Sequence, residues 1–380
     1  MKKRRGIDMK KKLPRYFQII LLSFLSSCFI NTRGEAQDSL TSMEPLPPIR
    51  MLQVGYTAGP IIVHSSGVQN TKGAYPHGYE FTMAWQRNDQ KAWNACGCSP
   101  SQGVQLAFYE YDNKALGRSL NLSYVLEPTY RLSKRSSFSY KAILGAAYMS
   151  NPYDSGTNQA NQSYSTTING FLGLGVGYWR QLSNHWSAGG QIEFHHISNG
   201  GLHVPNKGIN WPTASVTLRY RMNPRPLQLF HREPYLKSNR LRYDFSIFGV
   251  TKKVPDGTDQ LHALVGLAIQ AAKQVGRINY LTLGTEVFWD NALRSHLQQD
   301  NSGLDPWRVG ILVGHEFFLG RLVLSQRLGA YLYQAGNYYD PVFHQWGVSY
   351  RVFNHWSLGT NLKVHRQVAD YADLRFTYTL

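Results

Sequence analysis

The chain has 380 residues, a formal net charge of +17 and a mean hydropathy of −0.36, with 24 Tyr, 17 Phe and 9 Trp. Residues 1–36 hold nine Lys/Arg against Asp8 and Glu35, so that stretch carries +7 and the remainder keeps +10. Beyond it no Lys/Arg-rich block remains, which disfavours a nucleic-acid groove and suits a membrane-surface partner such as lipopolysaccharide phosphates.

Residues 1–36 open with the basic head "MKKRRGIDMKKK" and pass into an apolar run too short to span a bilayer, which suits a secretory signal peptide cleaved after Ala36. The alternative is lipoprotein processing at "LSSC", which leaves a lipid on Cys28. Residues 37–54 read as an N-terminal periplasmic or extended segment. From residue 55 little reads as helix. "GYEFTMAWQRN", "VQLAFYEYDN", "FSYKAILGAAYMS" and "GFLGLGVGYWRQLS" alternate with period two, and Gly, Asn, Ser and Asp clusters separate them at hairpin spacing. In "ACGCS", Cys96 and Cys98 either close a small-ring disulfide or stay as thiols, and two cysteines without a second pair make a poor zinc site.

The barrel half expected over 55–222 ends in the linker 223–240, which is rich in Pro and Arg, and a second half follows over 241–380. "SNHWSAGGQIEFHHI" at 183–197 recurs as "FNHWSLGTNLKVHRQ" at 353–367, and each copy leads into a closing strand, "ASVTLRYRM" or "ADLRFTYTL". In the last strand Leu374, Phe376, Tyr378 and Leu380 share one face. Long alternating strands with low hydropathy and many aromatics predict an all-β fold, an antiparallel transmembrane β-barrel of the bacterial outer membrane. Roughly 12–16 strands with an internal duplication are expected in a single barrel, with two tandem eight-stranded barrels as the alternative.

Parity singles out one strand. From 185 to 198 the even positions Trp186, Ala188, Gly190, Ile192 and Phe194 are apolar or small, and in a barrel this face meets lipid. His196 and Ser198 interrupt it side by side at the strand end, while His195 and Glu193 point to the lumen. A polar pair on a lipid-facing stripe is costly unless it works or lies at headgroup level. The second copy places Arg366 and Val368 there, so the strand pattern itself does not demand the pair. By residue type alone, interfacial histidines before an ordinary turn explain these residues as well. A site built from His195, His196 and His203 is disfavoured, because the first two point to opposite faces.

The stretch "HISNGGLHVPNKGIN", residues 196–210, resembles the H-x-S-N-x-G-L-x-x-P-N-x-G-I-(E) signature of the outer-membrane lipid A 3-O-deacylases, a family grouped with acyloxyacyl-hydrolase-like proteins. The likeness is good over 190–222 and loose over 50–222. It implies a small eight-stranded barrel, so the chain is about twice the length such a fold needs. It also implies hydrolysis of an ester-linked 3-hydroxyacyl chain of lipid A or a related acylated glycolipid, with lipid A or lipopolysaccharide of the outer leaflet as partner.

Carried over by position, Ser198 is the nucleophile and His196 the general base. Asn199 with the backbone of Gly200 and Gly201 supplies oxyanion donors, and Asn206 braces the loop. Asn210 stands where the family has Glu, so the orienting group is a weaker one. Glu193, on the lumen side, is not expected to replace it. No cofactor or metal is implied. Lys207 is placed by charge alone to meet the lipid's phosphates. The rival reading is a non-enzymatic barrel, a pore or structural protein derived from the same fold.

Overall fold

The computed structural model describes residues 47–225, 230–231, 233–235, 238–253, 261–336, 338–366 and 368–380. The expected signal peptide over 1–36, with Cys28, and the first part of the 37–54 segment lie outside these residues. Among the described residues sixteen antiparallel strands form two closed barrels of eight. The first contains β1 (Ile49–Ala58), β2 (His77–Gln86), β3 (Ser99–Glu110), β4 (Arg118–Arg131), β5 (Ser136–Met149), β6 (Ile168–Gln181), β7 (Trp186–Ser198) and β8 (Ile209–Arg221). The second contains β9 (Leu241–Lys253), β10 (Leu261–Gln274), β11 (Asn279–Asp290), β12 (Trp307–Leu319), β13 (Leu322–Gln334), β14 (Val342–Arg351), β15 (Trp356–His365) and β16 (Val368–Thr379).

Of the two expected assemblies, the tandem one forms. β8 returns to pair with β1, Tyr56 opposite Val216, and β16 pairs with β9, Phe376 opposite Ile247. Each half therefore satisfies its own edges, and among the described residues no strand is left to continue into a larger sheet. β1 also begins within the 37–54 segment, at Ile49, ahead of the barrel half expected from residue 55. Ile49, Met51 and Gln53 turn inward and Arg50, Leu52 and Val54 outward, an alternation that the preceding Pro-rich stretch hides.

The same alternation inverts the usual distribution of polarity. Outward positions such as Phe81, Leu106, Leu174, Ile192 and Val216 are exposed, while the lumen holds the charges. In the first barrel Arg219 meets Glu127 at 2.7 Å and lies over the Trp179 ring, and Lys141 bridges Glu80 at 3.2 Å and Glu193 at 2.7 Å. The second lumen is built alike: Lys252 meets Asp290 and Asp370, Arg327 meets Glu316, and Lys363 meets Glu286. Pairing of this kind is what allows charges to sit out of water. A cavity of about 70 Å³ beside Arg242, Gln270 and Arg375 remains in the second lumen, room for a few waters rather than a channel.

Most turns at one end are short, as at 132–135 and 182–185, and most loops at the other are longer, as at 59–76 and 150–167. At the short-turn end lies α1 (Gln90–Cys96), N-capped by Asp89 and followed by a Cys96–Cys98 disulfide. It touches the second half, because Arg277 donates to the Asn94 carbonyl at 3.2 Å. At the other end α2 (Asn291–Gln299) is capped by Asp290 and packs Leu293 and Leu297 against Ala335.

Candidate active site on the outer wall of the first barrel

Strand register assembles the candidate site. His196 on β7 lies directly opposite Asn210 on β8 and Leu172 on β6. Directly opposed side chains stand about 5 Å apart, and residues two apart on one strand share a face, so Ser198, His196 and Asn210 converge without any loop rearrangement. His196 Nε2 is 2.9 Å from Ser198 Oγ, and its Nδ1 is 2.6 Å from Asn210 Oδ1. An amide oxygen only accepts, so Nδ1 carries the hydrogen and Nε2 presents its lone pair to the serine hydroxyl. That is the tautomer a general base requires.

The group faces outward, at the rim next to exposed Phe194 and Leu174, and it is covered by loops: Ser198 retains 8 % of its accessible surface. His195 points the other way. It is fully buried in the lumen, stacked on Phe171 and 3.1 Å from Thr213. Glu193 lies with it and meets Lys141, remote from Asn210. The three histidines considered for a metal therefore do not converge. Glu80, Glu193 and His195 do come within 4.8 Å of one another, an acidic surrounding that parity alone did not reveal. The Lys141 ammonium already sits on both carboxylates, which is the place a cation would take.

The turn after Ser198 is held by its own polar groups. Asn206 Oδ1 accepts from the Asn199 backbone N–H at 3.0 Å, and Asn199 Oδ1 accepts from Gly201 N–H at 3.1 Å. The Asn199 side-chain amide donates to the His203 carbonyl at 2.9 Å and lies 3.4 Å from Ser165 Oγ. Gly200 N–H has no acceptor among the described residues. Gly200 and Gly201 have φ of +67° and +85°, which a side chain resists. Lys207 is exposed, and its carbonyl faces inward to accept from His64 Nε2 at 2.7 Å.

Two participants were not evident from the sequence. His64 reaches the site from the loop between β1 and β2, with Nδ1 3.3 Å from Asn210 Nδ2. Its separation of 146 residues from Asn210 leaves no local spacing to detect it. Gly208 has φ of +75°, and a Cβ there would lie 2.9 Å from His196 Cε1. The signature contains that glycine, but its reason is tertiary.

Residues 63–223 match the family model of lipid A 3-O-deacylase, and residues 241–380 match that of the acyloxyacyl hydrolase C-terminal domain. Nothing matches among curated proteins. Similar solved structures include the outer membrane enzyme PagL, at 16% identity over 43% of this chain and 97% of that one with a TM-score of 0.30. Neisserial surface protein A has 10% identity over 46% of this chain and 97% of its own, TM-score 0.31. Ail, the attachment invasion locus protein of Yersinia pestis, has 14% identity over 47% and 100%, TM-score 0.28. With the signature on β7 and β8 and both halves matched in order, the chain is an outer-membrane β-barrel protein whose residues 63–223 belong to the lipid A 3-O-deacylase family and whose residues 241–380 form an acyloxyacyl hydrolase C-terminal domain.

Proposed function

We propose that this protein is an ester hydrolase that removes a 3-hydroxyacyl chain from lipid A, using Ser198, His196 and Asn210. The observation that carries the reading is the position of His196, hydrogen-bonded to Ser198 on one ring nitrogen and to Asn210 on the other. Ser198 Oγ attacks the ester carbonyl carbon while its proton passes to His196 Nε2. The tetrahedral oxyanion takes a hydrogen bond from Gly200 N–H, since the donors of Asn199 and Gly201 are engaged within the turn. Collapse breaks the bond to the sugar oxygen, which leaves with the proton from His196, and water then cleaves the acyl-serine by the same route in reverse.

The outward, rim-level position suits a substrate whose acyl chains lie in the membrane and whose ester lies just beneath the headgroup. Short turns at one end and long loops at the other point the site to the outer leaflet, where lipid A resides. Export by the expected signal peptide, or lipidation of Cys28, belongs to the same proposal. The pore reading has against it the ion-paired side chains that occupy both lumens. Mass spectrometry of lipid A incubated in detergent with the protein tests the reading directly. Loss of one hydroxyacyl chain is expected with the unaltered protein and not with Ser198→Ala; hydrolysis that survives the substitution excludes Ser198 as nucleophile.

A further inference from the structure

We infer that His64 is a positioning residue: it decides which end of the Asn210 amide faces His196. The inference rests on the Ser–His reading of the site. A carboxylate, as in the family signature, accepts through either oxygen, so rotation leaves its function intact. A carboxamide has one accepting end and one donating end. Turned about, Asn210 would donate to His196 Nδ1, move the ring hydrogen to Nε2 and leave Ser198 facing a donor instead of a base.

The surroundings of His64 break this symmetry. Its Nε2 lies 2.7 Å from the Lys207 carbonyl, which can only accept, so Nε2 carries the hydrogen. In the neutral ring Nδ1 is then a lone pair, and it accepts from Asn210 Nδ2 at 3.3 Å. Asn210 Oδ1 is thereby left toward His196 Nδ1 at 2.6 Å. One backbone carbonyl thus sets a row of four hydrogen bonds ending on the Ser198 hydroxyl.

The Ile62 carbonyl, 3.2 Å from His64 Nδ1, is the competing partner. It needs the hydrogen on Nδ1, which sets the Nε2 lone pair against the Lys207 oxygen at the shorter distance. Backbone hydrogen bonds fix the loop that carries His64, with Ile62 N–H donating to the Asn210 carbonyl at 2.8 Å and Ile61 N–H to the Ala74 carbonyl at 3.1 Å.

The test compares the full-length unaltered protein with His64→Ala, His64→Gln, Asn210→Glu and the double variant His64→Ala/Asn210→Glu, all shown to be folded by the heat-dependent mobility shift of an intact barrel. Two readouts are taken, hydrolysis of lipid A and the imidazole ¹⁵N shifts of His196. We expect His64→Ala to lower kcat at least about tenfold with little change in KM, and to move the His196 hydrogen from Nδ1 toward Nε2. His64→Gln, which can accept from Asn210 and donate to Lys207, restores most of both. In the Asn210→Glu background His64→Ala changes the rate less than about twofold, because a carboxylate needs no such guide.

An unchanged His196 tautomer in His64→Ala overturns the inference, whatever the activity. So does an equal loss of rate whether asparagine or glutamate occupies position 210. If the tautomer moves as expected but Ser198→Ala hydrolyses lipid A as fast as the unaltered protein, the catalytic reading fails and the orienting role of His64 stands.

Discussion

Gly208 lies close against the His196 ring. An alanine there must adopt a φ of +75° and place its Cβ 2.9 Å from Cε1 of His196, the proposed base. The backbone term alone costs about 1–2 kcal/mol, and a base displaced by an ångström can lose about 10²-fold in rate. Gly208→Ala is therefore expected to fold and to lose far more activity than stability, as rate assays and urea unfolding on the same preparation will show. Asn210→Glu is expected to hydrolyse lipid A at least as fast as the unaltered protein, since a carboxylate stabilises the imidazolium better than an amide does. A large loss of rate would remove Asn210 from the orienting position. Single residues were legible where chemistry coincided with strand parity, as at His196 and Ser198. Gly208 and His64 were not, because each acts through a neighbour that only the closed barrel supplies.

At the level of strands, the lumen of the first barrel depends on ion pairs that cross the barrel rather than run along it. Lys141 on β5 joins Glu80 on β2 to Glu193 on β7, and all three are buried. Removing the shared cation leaves Glu80 with only the neutral donors Gln105 and Tyr109 and Glu193 with only His195, and breaking such a buried pair costs about 3–5 kcal/mol. Lys141→Met should lower the urea midpoint of the refolded barrel by a corresponding amount; a loss under about 1 kcal/mol would mean that water reaches the carboxylates. The period-two pattern made these strands and their two faces readable, including the lumen side of Glu193. Closure was not readable, since it is decided by whether β8 meets β1 or β9, and hydropathy is the same in either case. Acid–base partners across a lumen leave no local spacing, so the Glu80–Lys141–Glu193 set was equally hidden.

The whole molecule joins two barrels of one orientation, each rising from short turns to long loops. They touch at both ends: α1 meets Arg277 at the short-turn end, and at the other end the turn after the proposed nucleophile rests on β16. A Cβ on Gly201 would lie 2.7 Å from the Asp370 carbonyl oxygen, and one on Gly200 would lie 3.3 Å from the Ala372 methyl. The second barrel therefore acts as a wall behind the turn. Ala372→Trp is expected to reduce lipid A hydrolysis at least about tenfold while both barrels remain folded, through displacement of the turn rather than loss of a chemical group. Full activity in that variant would show that the wall is dispensable. The repeat between 183–197 and 353–367 disclosed that two related halves exist, but not that one supports the other.

An outward-facing site has a kinetic consequence. A reaction centre on the wall of a barrel is supplied by lipids that wander within the leaflet, and the neighbouring barrel closes off one sector of that approach. For the proposed hydrolysis the relevant concentration is then the mole fraction of lipid A in the bilayer, not its amount per volume of suspension. Diluting lipid A with an inert phospholipid in proteoliposomes, at constant total lipid A, should slow turnover in proportion to the surface dilution. A rate that follows bulk concentration instead would mean that the substrate reaches Ser198 from the water.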